Sequence, residues 1–229
     1  IDVSEDRPPL VETNRREFVQ RRVMSLCGVV PLGVFVVAHL VAMTQALRGP
    51  EAFSGALARL TPTRMTIEAL LIGLPLLVHA GVGLALTAKS RANVSAYPYS
   101  GNLAWLLQRA TGVVVLLFVV GHLWQTRVKL VIGQAASADL HGELVASLSS
   151  MGPLGVPFYA AVYLIGIAAT AYHLGNGVVG FCASFGLVRS LKSLERLRIA
   201  CALFSAVLFA LGATTVIHLA TGTAAPWGT

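Results

Sequence analysis

Four histidines, His39, His79, His122 and His173, fall one apiece on four successive apolar stretches of the 229-residue chain, each past the midpoint of its stretch in the direction of travel. A chain that crosses a membrane back and forth therefore carries His39 and His122 toward one face, and His79 and His173 toward the other. An ionisable side chain at such depth is costly in hydrocarbon and is usually functional. Imidazole is a common axial ligand of haem iron, whose potential the protein sets through ligand identity, burial and hydrogen bonding. Two pairs at two depths are what two bis-histidine b haems stacked across a bilayer require. For one histidine taken alone, interhelical hydrogen bonding is the plainer reading; alternation over four consecutive helices favours ligation.

The elements that must position these side chains follow from composition. Hydrophobic residues make up 55% of the sequence and charged residues 12%, about half the roughly 25% charge of a soluble domain. The uncharged runs cover residues 23–47, 69–88, 110–126, 144–188 and 199–229. A spanning helix needs about 20 apolar residues, so the first three runs hold one helix each. The fourth opens with a Ser/Gly/Pro segment, 147–157, and predicts one helix over roughly 156–182. The last predicts a fifth over roughly 197–220. The expected fold is an all-α membrane protein, five transmembrane helices in a bundle, with a polar arm at 1–21, a membrane domain at 22–220 and a tail at 221–229. Such a chain has no room for a dehydrogenase active site of its own.

A net charge of +7 suggests a nucleic-acid partner until its distribution is read. Arg7, Arg15, Arg16, Arg21 and Arg22 precede the first helix; Lys89, Arg91 and Arg109 lie between the second and third; Arg189, Lys192, Arg196 and Arg198 lie between the fourth and fifth. These share one side, and only Arg48, Arg59, Arg64, Arg127 and Lys129 fall on the other. The positive-inside rule then predicts a cytoplasmic N-terminus and an external C-terminus. The opening segment, 1–17, is polar, and the first helix lacks a small-residue cleavage site, so no secretory signal is expected. Cys27, Cys182 and Cys201 show no paired metal spacing and read as small apolar residues.

At 1.5 Å of rise per residue, His39 and His122 lie about 26 and 20 Å from the side of Arg22 and Arg109, and His79 and His173 about 22 and 24 Å from the side of Arg64 and Pro157. Gly121, Gly81, Gly83 and Gly175 lie beside them, either to let a porphyrin approach or as ordinary helix contacts. His141 falls in a loop and reads as solvated, and His218 reads as interfacial, with a quinone contact as the minor alternative.

Several strings share an order. They are N-R-R-E-F at 14–18, P-L-G-V-F-V-V-A-H-L ending at Leu40, L-P-L-L-V-H ending at His79, L-Q-R-A-T-G ending at Gly112, G-H-L-W-Q-T-R ending at Arg127 and Y-H-L-G-N-G ending at Gly177. Together they resemble the five-helix, di-haem cytochrome b subunit of succinate:quinone oxidoreductases, found in Gram-positive succinate:menaquinone reductases and some fumarate reductases. The resemblance implies that His39 and His122 ligate the haem distal to the cytoplasm, and His79 and His173 the proximal one. It marks Glu68, with Arg64 one turn earlier, for the distal quinone and proton site. Trp105 and Arg109 become candidates for haem propionate contacts or for interfacial anchoring.

The same resemblance implies a bacterial cytoplasmic membrane, a flavoprotein subunit carrying FAD and an iron-sulfur subunit on the cytoplasmic face, and electron transfer through two b haems to a quinone, menaquinone favoured. It leaves room for a higher oligomer of the complex. The fumarate reductase relatives carry a glutamate two residues before the fourth histidine; here that position is Ala171, which favours the succinate:menaquinone branch. The alternatives are the cytochrome b of a fumarate reductase or another quinone-linked dehydrogenase or hydrogenase, and a haem-free scaffold or transporter.

Overall fold

A computed structural model describes residues 15–60, 65–132 and 140–222. Arg64, the first part of the arm and the tail beyond 222 lie outside the described residues. Five helices are long and apolar enough to cross a membrane: α1 (Arg15–Arg48), α3 (Ala69–Ala88), α4 (Ser100–Val128), α6 (Phe158–Ser184) and α7 (Leu191–Thr221). Two short helices, α2 (Pro50–Leu60) and α5 (Leu140–Ser149), join them. Helix is what a bilayer leaves available, because it satisfies every backbone polar group internally. Among the described residues extended pairing is confined to one bridge, Met151 with Pro157, in the turn before α6.

The hydropathy pattern predicts these five spans, but the ends differ. α1 already begins at Arg15, so the later part of the basic arm continues the helix. Successive spans run antiparallel. At the near face, where α1 begins, Arg22 lies over the rings of Phe18 and Phe185 (4.6 and 4.8 Å) and donates to the Ser184 carbonyl at 2.9 Å, stapling α1 to the end of α6. At the far face, Ala46, Phe53, Leu140, Leu148, Tyr163 and Leu219 belong to one buried cluster. His141 therefore departs from the solvated loop the sequence suggests. It sits on α5 with its ring 5.5 Å from that of Phe53, because apolar residues of α2 and α5 draw both helices onto the bundle.

The outer surface of the bundle is apolar: Leu77, Leu117, Val34 and Leu203 are all exposed. Against lipid tails such residues gain little by burial, so the helices associate through close packing of small residues and a few hydrogen bonds. α6 is the most enclosed span and α4 the least. On α6, Gly166 lies under the Phe118 ring of α4, and Gly175 lies against Ser205 and the Cys201 carbonyl of α7. Ser205 donates across to the Ala171 carbonyl at 2.8 Å. A capping box of Ser190 and Ser193 starts α7, and Gly222, with φ of 67°, ends it.

α1, α3 and α4 each contain one π-type turn, at Gly28–Gly33, Ala69–Gly73 and Trp124–Val128. The first surrounds Pro31, whose missing N–H and bulky ring disrupt regular α-helical bonding. Such turns insert one residue and recur at functional sites.

Packing at Gly175 yields the first test. A Cβ there would come within 2.9 Å of the Cys201 carbonyl oxygen, a backbone atom unable to swing aside, whereas Gly81 has nothing within 4 Å. Gly175→Val is expected to destabilise the bundle by about 1–3 kcal/mol, the usual range for overpacking, and Gly81→Ala to leave stability unchanged. Thermal unfolding in detergent distinguishes the two.

Candidate functional site

The near pair joins α3 to α6. The rings of His79 and His173 have centroids 6.0 Å apart and planes at 86°. His79 Nδ1 lies 2.9 Å from the Met24 carbonyl of α1, and His173 Nδ1 lies 3.1 Å from the Gln108 carbonyl of α4. A ring nitrogen donating to a carbonyl leaves Nε2 as the lone-pair nitrogen. Two glycines make room for these rings, since a Cβ on Gly28 would meet His79 Cε1 at 2.5 Å and one on Gly112 would meet His173 Cε1 at 2.9 Å. The Gln108 amide donates to the His173 carbonyl at 3.1 Å, and Asn176 donates to Gln108 Oε1 at 2.8 Å. The strings L-Q-R-A-T-G and Y-H-L-G-N-G thus form two halves of one polar contact inside the bundle.

The far pair joins α1 to α4. The His39 and His122 centroids lie 5.8 Å apart with planes at 74°. Phe35 stacks on His39 at 5.5 Å and Phe118 on His122 at 5.7 Å, each one helical turn before its histidine. His122 Nδ1 is 3.2 Å from the Tyr163 hydroxyl, which donates to Gln125 Oε1 at 3.1 Å.

Imidazoles on opposite faces of one metal ion have centroids roughly 6 Å apart, given metal–nitrogen bonds of about 2 Å. Both gaps fit that separation. No group of three or more His, Cys, Asp or Glu side chains able to hold a bare ion occurs among the described residues. Donors arriving in twos suit an iron whose equatorial positions a macrocycle already fills.

The remaining sequence candidates divide. Glu68, the last residue of the short helical turn Met65–Glu68 that leads directly into α3, pairs with Arg127 of the π-type turn in α4, an ion pair whose side chains are 29% and 33% exposed. Arg64, its suggested helper, lies outside the described residues. At the near face Arg109 lies 3.7 Å over the Trp105 ring and donates to Ser90 Oγ at 3.1 Å, tying α4 to the end of α3. Gly175 does not open toward a histidine, because α7 fills that side. The sequence reading missed Gly28, Gly112, Gln108, Tyr163 and Gln125. Gly112 and Gln108 were visible within L-Q-R-A-T-G, but Tyr163 stands 41 residues from the histidine it contacts and carries no local signal.

The chain is 36% identical over 185 residues to the succinate dehydrogenase cytochrome b558 subunit of Bacillus subtilis (strain 168), an alignment spanning 79% of this chain and 86% of that protein. No protein-family model matches the sequence.

The Glu68–Arg127 pair carries the second test. Exposed pairs contribute about 0.2–1 kcal/mol, whereas breaking a buried one costs about 3–5 kcal/mol. At roughly one-third exposure the coupling between Glu68→Gln and Arg127→Met in a double-mutant cycle of detergent stability is expected near 1 kcal/mol. It should shrink at high salt.

Proposed function

Because the chain belongs to the family of succinate dehydrogenase cytochrome b subunits, we propose that it is the membrane anchor through which electrons taken from succinate on partner subunits reach a membrane quinone. In this reading His39 with His122, and His79 with His173, are the axial ligands of two b haems, which supply one-electron redox chemistry when bound. The observation that carries it is the pair of cross-helix imidazole gaps, 5.8 and 6.0 Å, at two levels of one apolar bundle.

The protein's own groups do the rest. The Met24 and Gln108 carbonyls and the Tyr163 hydroxyl occupy Nδ1 of three ligands and so leave Nε2 as the ligating nitrogen, which on His173 also lies 3.4 Å from the Gln108 amide nitrogen. Such outer partners orient a ligand and raise its basicity. The apolar lining keeps water out and the dielectric low. Arg109, braced on Trp105 and Ser90, offers a guanidinium to a haem propionate at the near face.

Basic residues concentrate at that face, so it is cytoplasmic in this reading and carries the flavoprotein and iron-sulfur subunits. At the far face a quinone needs protons as well as electrons. Glu68 is the carboxylate to deliver them, with Arg127 holding its charge in place. Menaquinone suits this arrangement: with quinone reduced outside and succinate oxidised inside, the membrane potential helps a weakly oxidising quinone accept electrons.

A pyridine haemochrome assay is expected to return two b haems per chain. His39→Ala or His122→Ala should remove the far haem alone, and His79→Ala or His173→Ala the near one; a single haem per wild-type chain rejects the assignment. In the assembled complex Glu68→Gln is expected to slow quinone reduction by about a hundredfold, the lower end for a lost acid–base group, while both haems and dye reduction by the soluble subunits persist. Unchanged quinone turnover removes Glu68 from the proton role.

A further inference from the structure

The nitrogen partners of the four histidines are unequal. His79 and His173 are held chiefly by backbone carbonyls, which no substitution can delete. No hydrogen bond to the His39 ring occurs among the described residues. His122 depends on a side chain, the hydroxyl of Tyr163. Tyr163 is only 8% exposed, its ring edge-on to those of Phe118 (5.3 Å) and His122 (5.7 Å). It accepts from His122 Nδ1 and donates to Gln125 Oε1. Gln125 in turn sits in the π-type turn of α4 and lines a cavity of about 340 Å³ with Lys129, Glu143 and Ser147.

We propose that Tyr163, held by Gln125, is a positioning residue that fixes the His122 ring with Nε2 toward the gap and sets how strongly that imidazole donates to a bound iron. The proposal rests on the reading of His39 and His122 as axial ligands. Its logic is electrostatic. An acceptor on Nδ1–H pushes electron density onto Nε2, strengthening the ligand and favouring ferric over ferrous iron. Donation by the same hydroxyl to Gln125 polarises the phenolic oxygen and makes it a better acceptor. Tyr163 and Gln125 together couple the histidine to the open far-face cavity through side chains alone. Tyr163→Phe keeps the ring packing and deletes only the bridge, so the effect belongs to the hydrogen bonds and not to bulk.

The test is a redox titration of the assembled complex, following each haem by its absorption and by electron paramagnetic resonance. Tyr163→Phe is expected to raise the midpoint potential of the far haem by about 59 mV, a tenfold loss of ferric preference for a one-electron couple, at the low end of the about 10–100-fold effects of such partners. The near haem should not move. Gln125→Leu should shift the far haem in the same direction by less, and the double variant should match Tyr163→Phe alone, because both substitutions cut one chain. Should Tyr163→Phe fail to retain the far haem, Gln125→Leu, which leaves the tyrosine in place, still carries the test. Unchanged potentials, a downward shift, additive shifts or an equal movement of both haems overturn the proposal. A haem count accompanies each titration: two haems with no shift sinks the role of Tyr163, whereas one haem in the wild type sinks the ligand assignment beneath it.

Discussion

A polar side chain in hydrocarbon has no water to turn to, so each must find its partner inside the protein. The bundle is arranged around that demand as it falls on four imidazoles. Each ring meets another ring across a gap of about 6 Å. For three of them the second nitrogen has an acceptor from a helix other than its own. α6 is central because it supplies to both levels: His173 to the near pair, and Tyr163 to the far one. Gly166 and Gly175 on the same helix then let α4 and α7 come close enough to keep those distances.

Charge is kept to the two faces and does mechanical work there. Arg22 closes α1 onto α6, and Arg109 closes α4 onto α3, each guanidinium lying against an aromatic ring that covers its carbon skeleton from water. At the far face the same task falls to apolar side chains and one ion pair: α2 and α5 fold over the ends of α1, α6 and α7, while Glu68 and Arg127 join α3 to α4.

Much of this was legible in the sequence because the bilayer imposes it. About 20 apolar residues per span mark α1, α3, α4, α6 and α7, and a histidine inside such a run stands out against its neighbours. Depth counted at a fixed rise was enough to group His39 with His122 and His79 with His173, the same rings that face each other in the fold. α2 and α5 escaped because ten or eleven residues of mixed polarity between spans look like loop until something is there to pack on. Tyr163 and Gln125 escaped for a related reason, since their roles depend on which helix faces which, and hydropathy is silent on rotation. Gly175 misled because a glycine beside His173 in sequence points elsewhere in space, while Gly112, on another helix altogether, makes the room for that ring.

The π-type turn in α1 governs that rotation. Gly28 and His39 are eleven positions apart, about three full turns of a regular helix, which by itself would aim both at one neighbour. Gly28 instead meets His79 of α3 and His39 meets His122 of α4. The extra residue around Pro31 swings the two halves of the helix apart by roughly the 100° that one position occupies. A change of length inside this helix would therefore matter as much as one in a loop matters little. A descendant that lost one residue between Gly28 and Gly33 would keep its hydropathy profile and every histidine, yet its two halves would fall out of phase, and only a compensating insertion in the same turn would restore both alignments.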